Sequence, residues 1–380
     1  MNLVCAIVDR SPVNPHGPPA EAECTARRCA ISAGTGVLTP VGWALVEDLA
    51  EGDSLLTRVG RVGRIESLRS VRQTVSRVGF SDGAYAVVGA DHEWIVQTHA
   101  LREAAKRDGR PRWVARATCD IQRLLELGAT RSNYVPVVDP VPSLQDRDLP
   151  LEPYGLGLLL GDGSFCSGTP SFTKPEPELH AALKELFPRN KQTTIGPADR
   201  GAIYLSAVGK RNELTVGLRE LGLWGHASYE KFVPNAYKLA TPLCRLAILQ
   251  GLLDTDGWVQ RNSSGNTSAY FGTSSAQLAA DVVELVESLG GLTTQQHRPA
   301  PRYQSGIGRP AFVVRVRLPP GSEPFRLSRK LEGWRAGRTA KATPPVRSIK
   351  SVEPVGSRLC YAIGTSGWTD DIVLSRYIVT

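Results

Sequence analysis

The sequence predicts a multidomain chain in which an all-β scaffold, divided between the two ends, is interrupted by an α/β domain built from two matching halves. Three observations carry this expectation. Short apolar runs separated by turn residues dominate residues 31–140 and the C-terminal end, and helical periodicity dominates the middle. The middle also opens each of its halves with an apolar helix that ends in Asp-Gly. At 380 residues and 41% hydrophobic content the chain can supply two or three cores.

Taken in order, residues 1–29 hold Pro12, Pro15, Pro18 and Pro19 with little apolar periodicity and read as a poorly ordered leader or a fragment of another protein. The runs VLTPVGWALVEDLAEGDSLLT and VSRVGFSDGAYAVVGADHEWIVQ read as β structure, with a turn at Asp82-Gly83. The segment VPSLQDRDLP reads as a linker. Beyond it PEPELHAALKELF, RNELTVGLRELGL, CRLAILQGLLDTDG and SAQLAADVVELVESLG have helical spacing, and SFTK, AIYLSAV, AYFGTS and AFVVRVRL read as strands. The stretch RAGRTAKATPPVRS closes the middle, and CYAIG and IVLSRYIVT return to short strands. The expected boundaries are a leader over 1–29, scaffold over 30–145, insert over 146–338 and scaffold again over 339–380. The outer segments are expected to pair with each other, because insertions are tolerated at exposed loops whose ends lie close together.

Net charge is +8, unevenly distributed: residues 298–350 carry thirteen Lys or Arg against Glu323 and Glu332. Such a run favours a polyanion, since each cation facing a phosphate releases a counterion. No stretch approaches the ~20 apolar residues of a membrane span, so the chain is expected to be soluble, cytoplasmic and without a membrane partner. Seven cysteines without CxxC spacing suggest neither a zinc site nor a disulfide framework.

The two halves of the middle begin YGLGLLLGDG (154–163) and LQGLLDTDG (249–257). Gly157 and Gly251 would let two helices approach closely, bringing Asp162 and Asp256 to the same end. A carboxylate at a helix C-terminus is opposed by the dipole, and a hard divalent cation between two of them offsets that cost.

These segments resemble the paired signature of LAGLIDADG homing endonucleases over about residues 150–335. The resemblance implies a pseudo-twofold αββαββα domain that straddles double-stranded DNA as a monomer. It implies Mg²⁺ or Mn²⁺ at Asp162 and Asp256, with the preceding residues Gly161 and Thr255 as further metal contacts. Lys231, in a KFVP segment similar to the family's KxIP motif, and Lys330, its equivalent by repeat symmetry, are the implied lysines that stabilise charge in the transition state.

The outer segments resemble a horseshoe-like Hint splicing domain, as in inteins. GTGVLTPVGWALVEDLAEGD is similar to the first splicing block, which puts Ala30, or Cys29 with one insertion, at its opening position. GADHEWIVQ is similar to the histidine block and RLCYAIG to the penultimate block. Trp94, Cys360 and Thr380 then match the WCT signature of class 3 inteins. In that class the internal cysteine attacks the upstream junction, here Cys29-Ala30, and His92 protonates the leaving amine. Gly89 stands where the histidine block usually has Thr, and no His-Asn pair follows Thr380, so the chain as given is not expected to complete splicing of extein segments in cis. Two other readings compete with the nuclease: a decayed LAGLIDADG protein that binds DNA without cutting it, and an autoprocessing Hint protein with a passenger insert.

Overall fold

Two 19-residue strands, Val62–Phe80 and Arg347–Thr365, lie on opposite sides of the insert in sequence and pair antiparallel in space. The computed structural model describes residues 30–129, 133–145, 148–166, 168–194, 202–209, 212–303, 306–337, 345–365 and 371–380. The leader expected over residues 1–29, with Cys29, lies outside the described residues. Register shifts at Ile349/Ser351, Pro354/Gly356 and Gly364/Thr365 bend the long ribbon. Pro354 has no N–H to give the ladder and falls at one of these irregularities.

The main scaffold sheet sets Ser54–Leu56, Val62–Phe80, Tyr85–Gly89, Ala30–Ser32, Arg347–Thr365 and Tyr134–Val135 side by side. A second sheet joins Gly36–Thr39 and Gly42–Leu45 to Val373–Leu374 and Ile378–Val379 near the C-terminus. Both sheets therefore draw strands from both ends of the chain. Their inward residues, among them Ile31, Val37, Val78, Val88, Trp94, Ile349 and Ile378, make one apolar core.

The stretch read as β also holds two helices, His99–Asp108 and Thr118–Glu126. The first is capped by the Thr98 side chain on the Leu101 amide and stopped by Gly109 at φ 71°. It has no fully buried residue, and its apolar face is the short set Leu101, Ala104 and Ala105, outweighed by the charged residues around it.

In the insert, the helices Pro153–Asp162 and Pro242–Asp256 are apolar on nearly every side and cross at their glycines. A methyl on Gly157 would overlap the Ile248 carbonyl oxygen, and one on Gly251 would lie 2.7 Å from the Leu158 nitrogen. Each helix runs directly into a strand, Gly163–Ser164 or Gly257–Arg261.

The first half has strand order Gly163–Ser164, Ser171–Phe172, Ile203–Ala207, Asn190–Thr194. The second repeats it as Gly257–Arg261, Thr267–Thr273, Ala311–Arg317, Leu292–Arg298. With the helices Pro177–Leu186, Glu213–Glu220, Ala276–Ser288 and Ser328–Arg335 this is the αββαββα arrangement. Asn190–Thr194 (NKQTT) and Leu292–Arg298 (LTTQQHR) are polar strands with no apolar alternation to announce them.

Candidate functional site

Asp162 and Asp256 are the last residues of the two central helices, so the glycine crossing brings both carboxylates to one end of the insert. Burial, with the charge of Asp162 added, pushes the Asp256 carboxyl up to about 6, although Lys174, Lys231 and Lys330 oppose the shift. Lys174 pairs with Asp162 at 2.8 Å.

The two lysines named from sequence are buried rather than surface phosphate contacts, at 3% and 6% exposure. Each threads its ammonium into the open carbonyls at the end of one central helix. Lys231 Nζ donates to the Leu159, Gly161 and Gly163 carbonyls at 3.2, 3.2 and 2.7 Å. Lys330 Nζ donates to those of Leu253, Asp254, Thr255 and Gly257 at 2.9, 2.7, 3.2 and 2.6 Å. The pattern is the same in both halves, which makes Lys330 the structural equal of Lys231. Burial lowers both ammonium groups to about 8. They cap helix ends whose dipole would otherwise oppose the neighbouring acids.

Gly161 and Thr255, named as further metal contacts, face each other across the crossing: a methyl on Gly161 would overlap the Thr255 hydroxyl. Their carbonyls already accept from Lys231 and Lys330. Each carbonyl keeps a second lone pair, and the two carboxylates supply the charge that a hard cation of the Mg²⁺ type would meet. Among the described residues there is no group of three or more His, Cys, Asp or Glu around one point.

Beside the acids, each sheet keeps one face away from the core. In the second half Trp258, Gln260, Ser268, Tyr270 and Arg315 share that face by register, with the Trp258 and Tyr270 rings stacked at 5.5 Å. Ser171, Tyr204, Thr193 and Lys191 belong to the matching face in the first half. Among the described cations of the basic run from 298 to 350, several are engaged with partners within the fold. Arg329 and Arg335 pair with Glu176 and Glu323, Arg326 hydrogen-bonds Gln250, and Arg347 is buried against Asp82.

The scaffold holds the second cluster. Ala30 lies in register with Ala362, and Ser32 with Cys360, so the opening strand runs beside the cysteine strand. Ala30, Val75 and Cys360 pack together. Burial pushes the Cys360 thiol up, while a hydrogen bond from Gln73 and the charge of Arg358 act the other way.

His92 is fully buried, which lowers its pKa to about 3, so the ring is neutral at pH 7. Its Nε2 lies 2.6 Å from the Thr380 hydroxyl, and Nδ1 has no hydrogen-bond partner among the described residues. Trp94, a core aromatic, meets His92 edge-on at 4.9 Å and donates to Thr118, whose hydroxyl donates in turn to the His92 carbonyl. Trp94 and Thr118 thus fix the backbone and ring of the histidine.

Three residues escaped the sequence reading. Lys174 and Thr118 carry no motif that sets them apart. Gln73 sits mid-strand, yet a methyl on Gly89 would lie 2.6 Å from its amide nitrogen, so its carboxamide fills the space where the histidine block usually carries Thr. Gly89 itself was the available signal, because its missing side chain leaves room for another.

A β scaffold built from both ends of the chain holds a pseudo-twofold insert with an acid at each central helix end, the arrangement that the sequence resemblance implies. Residues 244–316 match the family model of the LAGLIDADG-like domain. The matched stretch begins in the second central helix and runs through the sheet of the second half of the insert, so that half is similar to the LAGLIDADG-like domain.

The chain is 30% identical over 274 residues to the replicative DNA helicase DnaB of Mycobacterium intracellulare, an alignment covering 69% of this chain and 42% of that protein. It is 33% identical over 162 residues to DnaB of Rhodothermus marinus, covering 39% of this chain and 17% of that one. The chain thus spans less than half the length of either relative. Among solved structures, the MchDnaB-1 intein is 33% identical, with 19% of this chain and 55% of that one covered and a TM-score of 0.17. I-DmoI in complex with DNA and Mn is 13% identical, with 51% and 98% covered and a TM-score of 0.29. TM-scores this low leave the fold to be read from the chain's own topology.

Proposed function

We propose that this chain is a site-specific DNA endonuclease that makes double-strand breaks by metal-dependent phosphodiester hydrolysis from within a splicing scaffold. The observation that carries the reading is the convergence of Asp162 and Asp256, close enough for one charge to raise the pKa of the other. Two like charges at two helix C-termini are costly to bring together, and a divalent cation, Mg²⁺ or Mn²⁺, is what makes the arrangement useful. When bound it would polarise a phosphodiester and lower the pKa of a water. The residues of the chain hold and orient: the two carboxylates would hold the cation, Lys231 and Lys330 keep the helix ends closed, and Lys174 adds positive charge next to Asp162. The open sheet faces, aromatic and polar with Arg315 and Lys191 among them, suit duplex DNA as the partner. Both acids come from one chain, so a monomer is sufficient.

The test is cleavage of a double-stranded DNA library by the purified protein with Mg²⁺ or Mn²⁺, beside Asp162→Asn and Asp256→Asn. Sequence-specific double-strand cuts that both variants lose support the proposal. Binding without cutting would replace it with a DNA-binding protein that no longer cleaves.

The Ala30, Val75 and Cys360 cluster favours a second activity. The Cys360 sulfur attacks the carbonyl carbon of the peptide bond preceding Ala30, the C–N bond breaks, and the proton lost by the thiol is made good on the departing amine through His92. The product is a thioester at Cys360. Added thiol would then release the upstream segment, and Cys360→Ala should abolish that release; cleavage surviving in the variant would rule the step out.

A further inference from the structure

The insert and the splicing scaffold share a buried charge cluster. Glu287 belongs to the helix Ala276–Ser288 of the insert and is 2% exposed. Its carboxylate accepts from Arg376 Nε at 2.9 Å and Nη2 at 2.6 Å, in a forked pair, and lies 3.3 Å from Arg347 Nη2. Arg347 also pairs with Asp82 at 2.7 Å and donates to the Tyr377 and Arg376 carbonyls at 2.7 and 2.6 Å. Two guanidiniums thus meet two carboxylates, one from the insert and one from the scaffold.

What they hold is unusual backbone. Arg376 and Tyr377, at φ 61° and 50°, are the non-glycine residues in the left-handed region among the described residues. Such a conformation persists only where the surroundings enforce it. The turn they make doubles the chain back so that Ile378–Val379 pairs with Val373–Leu374 and Thr380 exchanges backbone hydrogen bonds with Ile372 at 3.0 and 3.1 Å. Thr380 is then in position to meet His92 Nε2 at 2.6 Å.

We infer that Glu287 of the insert is a positioning residue for the splicing chemistry: by holding Arg376 and Arg347 it keeps the strained turn closed and Thr380 against His92. The insert is then a working part of the scaffold rather than a passenger. The inference rests on the splicing reading for its chemistry, but the clamp itself is a physical claim that stands apart from it. Neutralising Glu287 leaves the buried Arg347 and the partly exposed Arg376 guanidiniums facing the single carboxylate of Asp82, and their repulsion favours an open turn.

The experiment compares full-length wild type with Glu287→Gln, Glu287→Asp and Arg376→Gln by hydrogen exchange and thiol-induced release upstream of Ala30. DNA cleavage and near-ultraviolet circular dichroism serve as checks on the fold. In Glu287→Gln the amides of Ile372 and Thr380 should exchange about tenfold faster or more, as expected for loss of a charged hydrogen bond. Release should slow by a similar factor while DNA cleavage is unchanged. Arg376→Gln should behave alike, and Glu287→Asp should recover part of both effects.

Unchanged exchange in Glu287→Gln overturns the clamp. Faster exchange with undiminished release overturns the positioning role. If wild type shows no thiol-induced release while exchange still accelerates in the variant, the clamp is supported and the splicing reading fails.

Discussion

Protonation of Asp256 should compete with the divalent cation, and the size of that competition follows from the surroundings of the carboxyl. Burial first, then the Asp162 charge, raise it to about 6, against the opposing pull of three lysines. With that value the carboxylate is about nine-tenths ionised at pH 7 and about one-tenth at pH 5, a tenfold change worth roughly 1.4 kcal/mol. If both carboxylates grip the cation, apparent affinity for Mn²⁺ should weaken about tenfold between pH 7 and pH 5 and stay nearly flat from 7 to 8. Mn²⁺ titration followed by electron paramagnetic resonance at pH 5, 6, 7 and 8 measures this without any DNA substrate. Equal affinity at pH 5 and pH 7, or the same pH dependence in Asp256→Asn, would refute the reasoning.

The same carboxyl predicts a conflict between stability and activity. Its folded pKa lies above the unfolded value of 3.8, so its stabilising contribution is present in acid and is lost as pH rises from 3.8 to about 6. Asp256→Asn should therefore unfold at higher denaturant at pH 7.5, by on the order of 2–3 kcal/mol, while losing cleavage; a less stable variant would contradict this. His92 has the opposite sign for acid. Its pKa falls from 6.5 unfolded to about 3 folded, so its contribution is complete above 6.5 and is lost as pH drops toward 3. Between pH 6.5 and 5 the loss should approach about 2 kcal/mol. Urea unfolding of His92→Gln should show a shallower acid slope than wild type, and identical slopes would count against a buried neutral ring. Finally, Gly251→Ala puts a methyl 2.7 Å from the Leu158 nitrogen and 2.8 Å from the Gly157 carbonyl carbon, both in backbone. It should cost about 1–3 kcal/mol or more by calorimetry, and an unchanged melting temperature would mean that the crossing is looser than drawn.

Continuous apolar runs around a glycine exposed the central helices, which are apolar on nearly every side, and the repeated Asp-Gly ending exposed Asp162 and Asp256 because a turn that recurs at the head of two matched units is a pattern in one dimension. The β–α/β–β order gave the inserted architecture for the same reason. Lys330 was reachable only by carrying Lys231 across the repeat, and nothing linear showed that both lysines end among helix carbonyls. The polar strands NKQTT and LTTQQHR have no apolar alternation, and the helix His99–Asp108 has only a short apolar face, so the linear pattern does not announce them.

The sequence by itself determined the two-part plan, the paired acids and the cysteine, histidine and tryptophan of the outer blocks, since each depends on residue type at a local spacing. Only the tertiary structure decided that Gln73 fills the gap at Gly89, that Lys174 pairs with Asp162, and that Glu287 of the insert holds Arg376 of the scaffold. Those contacts join residues far apart along the chain, and they exist only because strand register and helix crossing bring the side chains within a few ångströms. Buried charge then has to find its opposite wherever the fold has placed it.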